Sequence, residues 1–316
     1  MLEPAGSYQV GTSAKLDGIS RHGGCAQHTG VLSEAEQPLS DPFARKAGVV
    51  REGLDQCHKD RIRQTQSGCQ GQRAALCRFE LGANVLDKTM LSELLNVFKT
   101  FKSNKNIKLI TFEGAGDHFS YGASVEEHQK ENAAEMLKVF HQVFYDLIDL
   151  SIPTLAKISG LCLGGGCELA LMCNFLFADQ SAKLGQPEIV LGVFPPPASL
   201  LLPLKIGNAK AEELNITGKT IFASEAKELG LINGIYPDKA SLDNGVIEFI
   251  AKQILPKSAS SLKYAVKTVR SHFNDIILNK LPQLEKMYVE ELIETNDANE
   301  GVSAFLQKRK PKWLNS

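Results

Sequence analysis

Apolar positions repeat with a helical period in several separate segments of this chain. Between residues 132 and 150 they fall three and four apart, which predicts an amphipathic helix that ends before Pro153. Residues 81–101 carry the same spacing. From Ser258 onward the pattern is wholly helical and predicts three helices, at residues 258–273, 281–294 and 297–308.

Short apolar runs between the helical segments predict buried strands. Residues 107–112 form such a run, which ends at Gly114. Similar runs follow at residues 154–158, 175–178 and 231–236, and helices are predicted near residues 209–214 and 223–229. Because strands and helices alternate, we expect an α/β core over residues 78–255, followed by a helical region over residues 256–316.

The first 77 residues have a different pattern. Val, Ile and Phe are scarce there, and no apolar period of two or of 3.6 persists. This composition predicts a poorly ordered segment. The abrupt change near Cys77 is consistent with either a genuine disordered extension or translation in a wrong reading frame.

Charge and composition narrow the classes of partner. The 316 residues include 35 basic and 36 acidic side chains, a formal net charge of −1, so neither nucleic acid nor a membrane surface is indicated. The longest apolar stretch, at residues 189–204, is interrupted by prolines. Seven irregularly spaced cysteines and the absence of a signal-like start predict a cytoplasmic protein. No metal site is expected, because Cys162, Cys167 and Cys173 lack paired ligand spacing.

A glycine-rich turn at residues 160–166 (GLCLGGG) separates a predicted strand from a predicted helix. Backbone N–H groups at such a helix start can hold an anion or a developing oxyanion. Two nucleotide-binding motifs fail here. The dinucleotide fingerprint requires glycine where Leu169 stands, and the phosphate-binding loop requires glycine where Glu213 stands.

Four motifs in chain order resemble the crotonase (enoyl-CoA hydratase/isomerase) superfamily: residues 118–124 (HFSYGAS), 163–170 (LGGGCELA), 184–189 (LGQPEI) and 305–313 (FLQKRKPKW). The resemblance covers about residues 79–316. It implies an α/β fold with a crotonase-like ββα spiral core and C-terminal helices that assemble trimers or pairs of trimers. It also implies an acyl-CoA thioester as substrate, with no separate cofactor.

The same resemblance implies residue roles. The amides of Ala123 and Gly165 would form an oxyanion hole, with Glu168 as the base and Glu188 as the proton donor. Two neighbouring carboxyl groups push their pKa values apart, which suits these two roles. Six further residues would bind the substrate: Tyr121, Gly122, Gly164, Phe194, Pro195 and Pro196.

One segment narrows the substrate. Residues 192–199 (GVFPPPAS) look like those of cyclohexa-1,5-diene-1-carbonyl-CoA hydratases of anaerobic aromatic degradation, where straight-chain hydratases have a glycine-rich turn. Hydration of a cyclic dienoyl-CoA is therefore the leading hypothesis. Straight-chain hydration, another crotonase reaction such as isomerisation or ring hydrolysis, and a non-catalytic CoA-thioester scaffold are the alternatives. The β-hairpin that opens family members is expected to be missing, because only residues 82–87 (GANVLD) resemble its end.

Overall fold

The computed structural model describes residues 62–67, 73–79 and 84–316. Their main sheet has six strands. In order across the sheet these are β1 (Ile62–Ser67), β2 (Arg73–Phe79), β4 (Ile107–Gly114), β6 (Thr154–Ile158), β8 (Phe175–Asp179) and β11 (Gly234–Tyr236). Only β1 and β2 pair antiparallel, and every later pair is parallel. This arrangement confirms the predicted α/β class.

The β1-β2 hairpin corrects one expectation from the sequence. No hairpin was expected, yet Ile62 pairs with Phe79 and Ser67 pairs with Ala74. The predicted boundary at residue 77 falls inside β2. Strand propensity is weak in this composition, but β2 also pairs along its whole length with β4, and such tertiary pairing overrides local propensity. Residues 1–61 and 68–72, the rest of the segment predicted to be poorly ordered, lie outside the described residues.

Two small sheets bring later segments together. A three-stranded sheet has the order β10 (Thr220–Phe222), β9 (Lys183–Gly185) and β7 (Leu161–Leu163). A parallel pair joins β3 (Val85–Leu86) to β5 (Gly122–Ala123). Because residues 85–86 form a strand, the helix predicted from residue 81 begins later. Asp87 caps it, accepting a 2.8 Å hydrogen bond from the Met90 amide.

Ten α-helices cover these sheets within the described residues. They are α1 (Lys88–Ser103), α2 (Lys130–Leu150), α3 (Gly164–Met172), α4 (Pro196–Ile206), α5 (Asn208–Thr217), α6 (Ala223–Glu228), α7 (Lys239–Phe249), α8 (Ala259–Val269), α9 (Ser271–Glu290) and α10 (Asn296–Leu306). Short 3-10 turns occupy Glu126–His128, Pro187–Leu191 and Leu292–Glu294, and a π-helical turn occupies Ile250–Ile254.

Two of these helices, α4 and α7, were not predicted. Prolines disfavour a helix interior, but Pro196 and Pro197 occupy the first turn of α4, where an N–H would have no intrahelical partner. The proline run therefore starts a helix rather than only stiffening a loop. The glycine turn also differs from expectation, since α3 begins at Gly164 itself.

The helical C-terminal region is confirmed in α8, α9 and α10. Helix α9 packs against α2 and α4 and carries Ile277, Leu281 and Tyr288 into the interior. By contrast, α8 buries no residue. No helix in the described part of the chain is long and apolar enough to cross a bilayer.

Candidate active site

Two backbone segments meet at one end of the parallel sheets. Strand β5 carries Gly122 and Ala123, and α3 begins with Gly164 and Gly165. A Cβ atom placed on Gly165 would lie 3.2 Å from the Ala123 nitrogen, and one placed on Gly122 would lie 3.1 Å from the Leu163 carbonyl oxygen. Gly122 and Gly164 also have positive φ angles, of 106° and 48°. Side chains at these positions would force the two segments apart.

A buried hydrogen-bond network holds the first segment. The Ser120 hydroxyl donates to the Asn84 carbonyl at 2.6 Å and accepts from the Gly122 amide at 3.1 Å. The Asn84 side chain in turn donates to the carbonyls of Ala115 and His118 at 2.9 and 2.8 Å. The network fixes the β5 turn with main-chain partners 31 to 36 residues away in sequence.

The backbone N–H groups at the start of α3 have no side-chain cap from the N-cap residue. This residue, Leu163, has an apolar side chain that makes no capping hydrogen bond. The positive end of the helix dipole therefore faces the space beside Ala123. This geometry suits the oxyanion role predicted for the amides of Ala123 and Gly165.

Glu168 lies one turn further along α3 and is 3% exposed. Its Oε1 accepts a 2.9 Å hydrogen bond from the Ala198 amide. Pro196 and Pro197 have no N–H, so Ala198 supplies the first amide of α4. Burial, followed by the negative charge of Glu188, raises the pKa of Glu168 well above its usual value.

Glu188 lies in the 3-10 turn Pro187–Leu191 and is also buried. With its amide nitrogen turned toward the carboxylate, the Gln186 side chain donates to both Glu188 oxygens at 3.2 Å. A Cβ on Gly164 would lie 2.6 Å from Glu188 Oε1, so glycine is needed for this carboxyl group to approach α3. Burial raises the pKa of Glu188. Because Glu168 and Glu188 are both desolvated and adjacent, sharing one proton is favoured over two negative charges.

A cavity of about 310 Å³ joins these groups. The structure brings all ten predicted site residues to its lining: Tyr121, Gly122, Ala123, Gly164, Gly165, Glu168, Glu188, Phe194, Pro195 and Pro196. Their individual roles stay predictions. The two carboxyl groups and the start of α3 form the polar part of the lining, and the other lining side chains are mainly apolar.

Sequence reasoning missed several other lining residues. Helix α2 contributes Met136, Leu137 and Phe140, and the C-terminal helices contribute Tyr288 and Phe305. The helical spacing of α2 predicted an apolar face. It did not indicate that part of this face lines a cavity rather than the core.

Three histidines near the site or in the core each have a polar partner that orients the ring. His118 Nδ1 accepts from the Leu161 amide at 3.0 Å, and His141 Nδ1 lies 2.5 Å from Glu285. His128 lines the cavity, with its Nδ1 2.7 Å from the Ser124 carbonyl, and burial lowers its pKa. Because it accepts the hydrogen bond from the Leu161 amide, His118 positions the start of β7.

The chain matches the sequence model of the family described as enoyl-CoA hydratase/isomerase over residues 78–316. It is 39% identical over 233 residues to the cyclohexa-1,5-dienecarbonyl-CoA hydratase of Thauera aromatica. The aligned region covers 74% of this chain and 89% of that protein. The crystal structure of an enoyl-CoA hydratase from Bacillus anthracis is 30% identical, with a TM-score of 0.62 over 81% of this chain and all of the other.

A more distant hydratase, from Mycobacterium avium subsp. paratuberculosis, shares the fold at 20% identity, with a TM-score of 0.71 over 81% of this chain and 99% of the other. The family match covers the two glycine segments, both glutamates and the C-terminal helices. The chain therefore belongs to the enoyl-CoA hydratase/isomerase family and has the crotonase fold.

Proposed function

We propose that this protein is a hydro-lyase that adds water across the double bond of an α,β-unsaturated acyl-CoA thioester. One observation carries the proposal: Glu168 and Glu188, both buried and with raised pKa values, face the same cavity as the amide-rich start of α3. An isomerase needs one group to move a proton, whereas hydration needs both an acid and a base beside a bound water. The pair of carboxyl groups supports hydration.

The proposed reaction uses the backbone and the two side chains together. The amides of Ala123 and Gly165 hold the thioester oxygen and stabilise the negative charge that develops on it. Glu168 takes a proton from water while the water oxygen bonds to the β-carbon. The π electrons move toward the thioester, and Glu188 gives a proton to the α-carbon. The Ala198 N–H favours the charged form of Glu168, which suits the base.

We propose a cyclic dienoyl-CoA as the substrate. Support comes from the wall formed by Phe194, Pro195 and Pro196, and from the 39% identity to a cyclohexa-1,5-dienecarbonyl-CoA hydratase. Prolines fix φ and give the cavity a rigid apolar side, which suits a flat ring.

The test compares two substrates on the purified protein. Absorbance loss is followed with crotonyl-CoA and with cyclohexa-1,5-diene-1-carbonyl-CoA, and Glu168→Gln serves as the inactive control. We expect a higher kcat/KM for the cyclic substrate. A higher value for crotonyl-CoA would reject the cyclic substrate but not the reaction, and no hydration of either would reject both.

We also propose an oligomer built on trimers. Helix α8 buries no residue, and its large apolar side chains Tyr264 and Val269 are 71% and 79% exposed. Such a helix gains stability when its apolar side chains are covered by another copy of the chain. Sedimentation at micromolar concentration should give a trimer or hexamer, and a monomer would contradict this proposal.

A further inference from the structure

Helix α9 places one polar side chain in the wall of the cavity. Tyr288 is 1% exposed, and its ring packs edge-to-face on Phe194 with 5.4 Å between the ring centroids. The ring is therefore held by the same wall that begins with Phe194 and continues through the prolines.

The Tyr288 hydroxyl is buried and has no hydrogen-bond partner among the described residues. Leaving a buried hydroxyl unpaired costs free energy, which phenylalanine would avoid in nearly the same volume. Because this hydroxyl belongs to a residue that lines the cavity, a bound molecule is positioned to supply the partner.

The surroundings of the hydroxyl indicate what kind of atom it meets. Burial, and then the negative charges of Glu188 and Glu168, raise the pKa of Tyr288. The phenol therefore stays neutral and keeps its proton to donate. Tyr288, Glu168 and Glu188 line the same cavity, and the hydroxyl hydrogen-bonds to neither carboxyl group, so an oxygen atom bound in that cavity is the partner that the hydroxyl lacks.

We infer that the Tyr288 hydroxyl donates a hydrogen bond to the oxygen atom that is added to the substrate, first as water and afterwards as the new β-hydroxyl group. This inference rests on the proposed hydration. It assigns to α9 a third contact with the reacting oxygen, in addition to Glu168 and Glu188.

The experiment compares two inhibitors of hydration that differ by that one oxygen, 3-hydroxybutyryl-CoA and butyryl-CoA. Inhibition constants are measured for the wild type and for Tyr288→Phe, which keeps the ring and removes the hydroxyl. We expect the variant to bind 3-hydroxybutyryl-CoA about 10-fold more weakly, as for the loss of one hydrogen bond, and butyryl-CoA within about 2-fold of wild type.

Tyr145→Phe is the matched control. Tyr145 lies on α2, is only partly buried and does not line the cavity, so its variant should change neither constant. The midpoint of thermal unfolding without ligand provides a second control. Since the Tyr288 hydroxyl has no partner within the described residues, Tyr288→Phe should unfold at the same or a higher temperature than wild type.

Each other outcome overturns the inference in an identifiable way. If both inhibitors bind more weakly by the same factor, Tyr288 only shapes the cavity. No change in either constant would mean that its hydroxyl does not reach the added oxygen. A wild-type protein that hydrates neither crotonyl-CoA nor the cyclic dienoyl-CoA would overturn the proposed function, and this inference with it.

Discussion

The polar and the apolar parts of the cavity lining are built in different ways. In the polar part, the amides of Gly165 and Ala123 and the carboxyl groups of Glu168 and Glu188 come from short motifs in which glycines let the backbone approach closely. In the apolar wall, the Phe194 ring packs on Tyr288, which lies nearly 100 residues later in the sequence. The polar part carries chemistry that a family can share, while an apolar wall can vary and so select the acyl group.

The strongest test addresses the acid/base roles proposed for Glu168 and Glu188. Glu168→Gln and Glu188→Gln should each lower kcat by about 10²–10⁴-fold with little change in KM, because the amide keeps the shape but cannot exchange the proton. Steady-state kinetics measures this effect. A variant that keeps more than about a tenth of the wild-type rate would remove that residue from the mechanism.

A second test changes the backbone at the start of α3. Gly164→Ala should lower kcat by roughly 100-fold, because the new Cβ would lie 2.6 Å from Glu188 Oε1 and displace the carboxyl group. Its positive φ should also cost about 1–3 kcal/mol of stability.

Gly230→Ala separates the two effects of that substitution. Gly230 also has a positive φ, of 74°, but no atom in the described part of the chain lies within 4 Å of its Cβ position. It should lose stability and keep full activity. Equal activity losses in the two variants would show that backbone strain, rather than the position of Glu188, is responsible.

The third test loosens the wall. Replacing Pro196 and Pro197 together by glycine should shift the ratio of kcat/KM from cyclic toward linear substrates by roughly 10-fold, within the range expected for pocket shape around apolar groups. Pro203→Gly, in the same helix but outside the cavity lining, should leave the ratio unchanged. Parallel loss of activity on both substrates would mean that the prolines only rigidify α4.

The smallest effect is on the pH dependence of stability. The pKa of Glu188 is raised in the folded protein. The contribution of this carboxyl group to folding stability is therefore full below its pKa in the unfolded chain, about 4.3, and is lost as pH rises through the raised pKa. Glu188→Gln removes this loss. Its unfolding temperature should be close to that of wild type near pH 4 and exceed it at pH 8, by about 2–4 °C for each kcal/mol.

A substitution in the apolar wall is the control for this measurement. Phe194→Leu removes no titratable group, so its difference from wild type should be independent of pH. A pH-independent difference for Glu188→Gln would contradict a raised pKa at that carboxyl group.

Local pattern was sufficient where one segment determines its own structure. The apolar spacing of α2 and the apolar run of β4 predicted these elements with nearly correct bounds. It was insufficient for α4, because proline is read as a helix breaker unless its first-turn position is known. It was also insufficient for the β1-β2 hairpin, because β2 is held by its pairing with β4, a segment that is distant along the chain.

The sequence by itself predicted the α/β class, and the resemblance of its motifs predicted the family and ten of the residues that line the cavity, because such motifs are short and continuous in the chain. The tertiary structure alone decided which amide holds Glu168, that Ser120 and Asn84 fix the β5 turn, and that the Tyr288 hydroxyl in the wall has no partner among the described residues. These contacts join residues 30, 36 and about 100 positions apart. No local pattern encodes them, since they form only when separate helices and strands pack together.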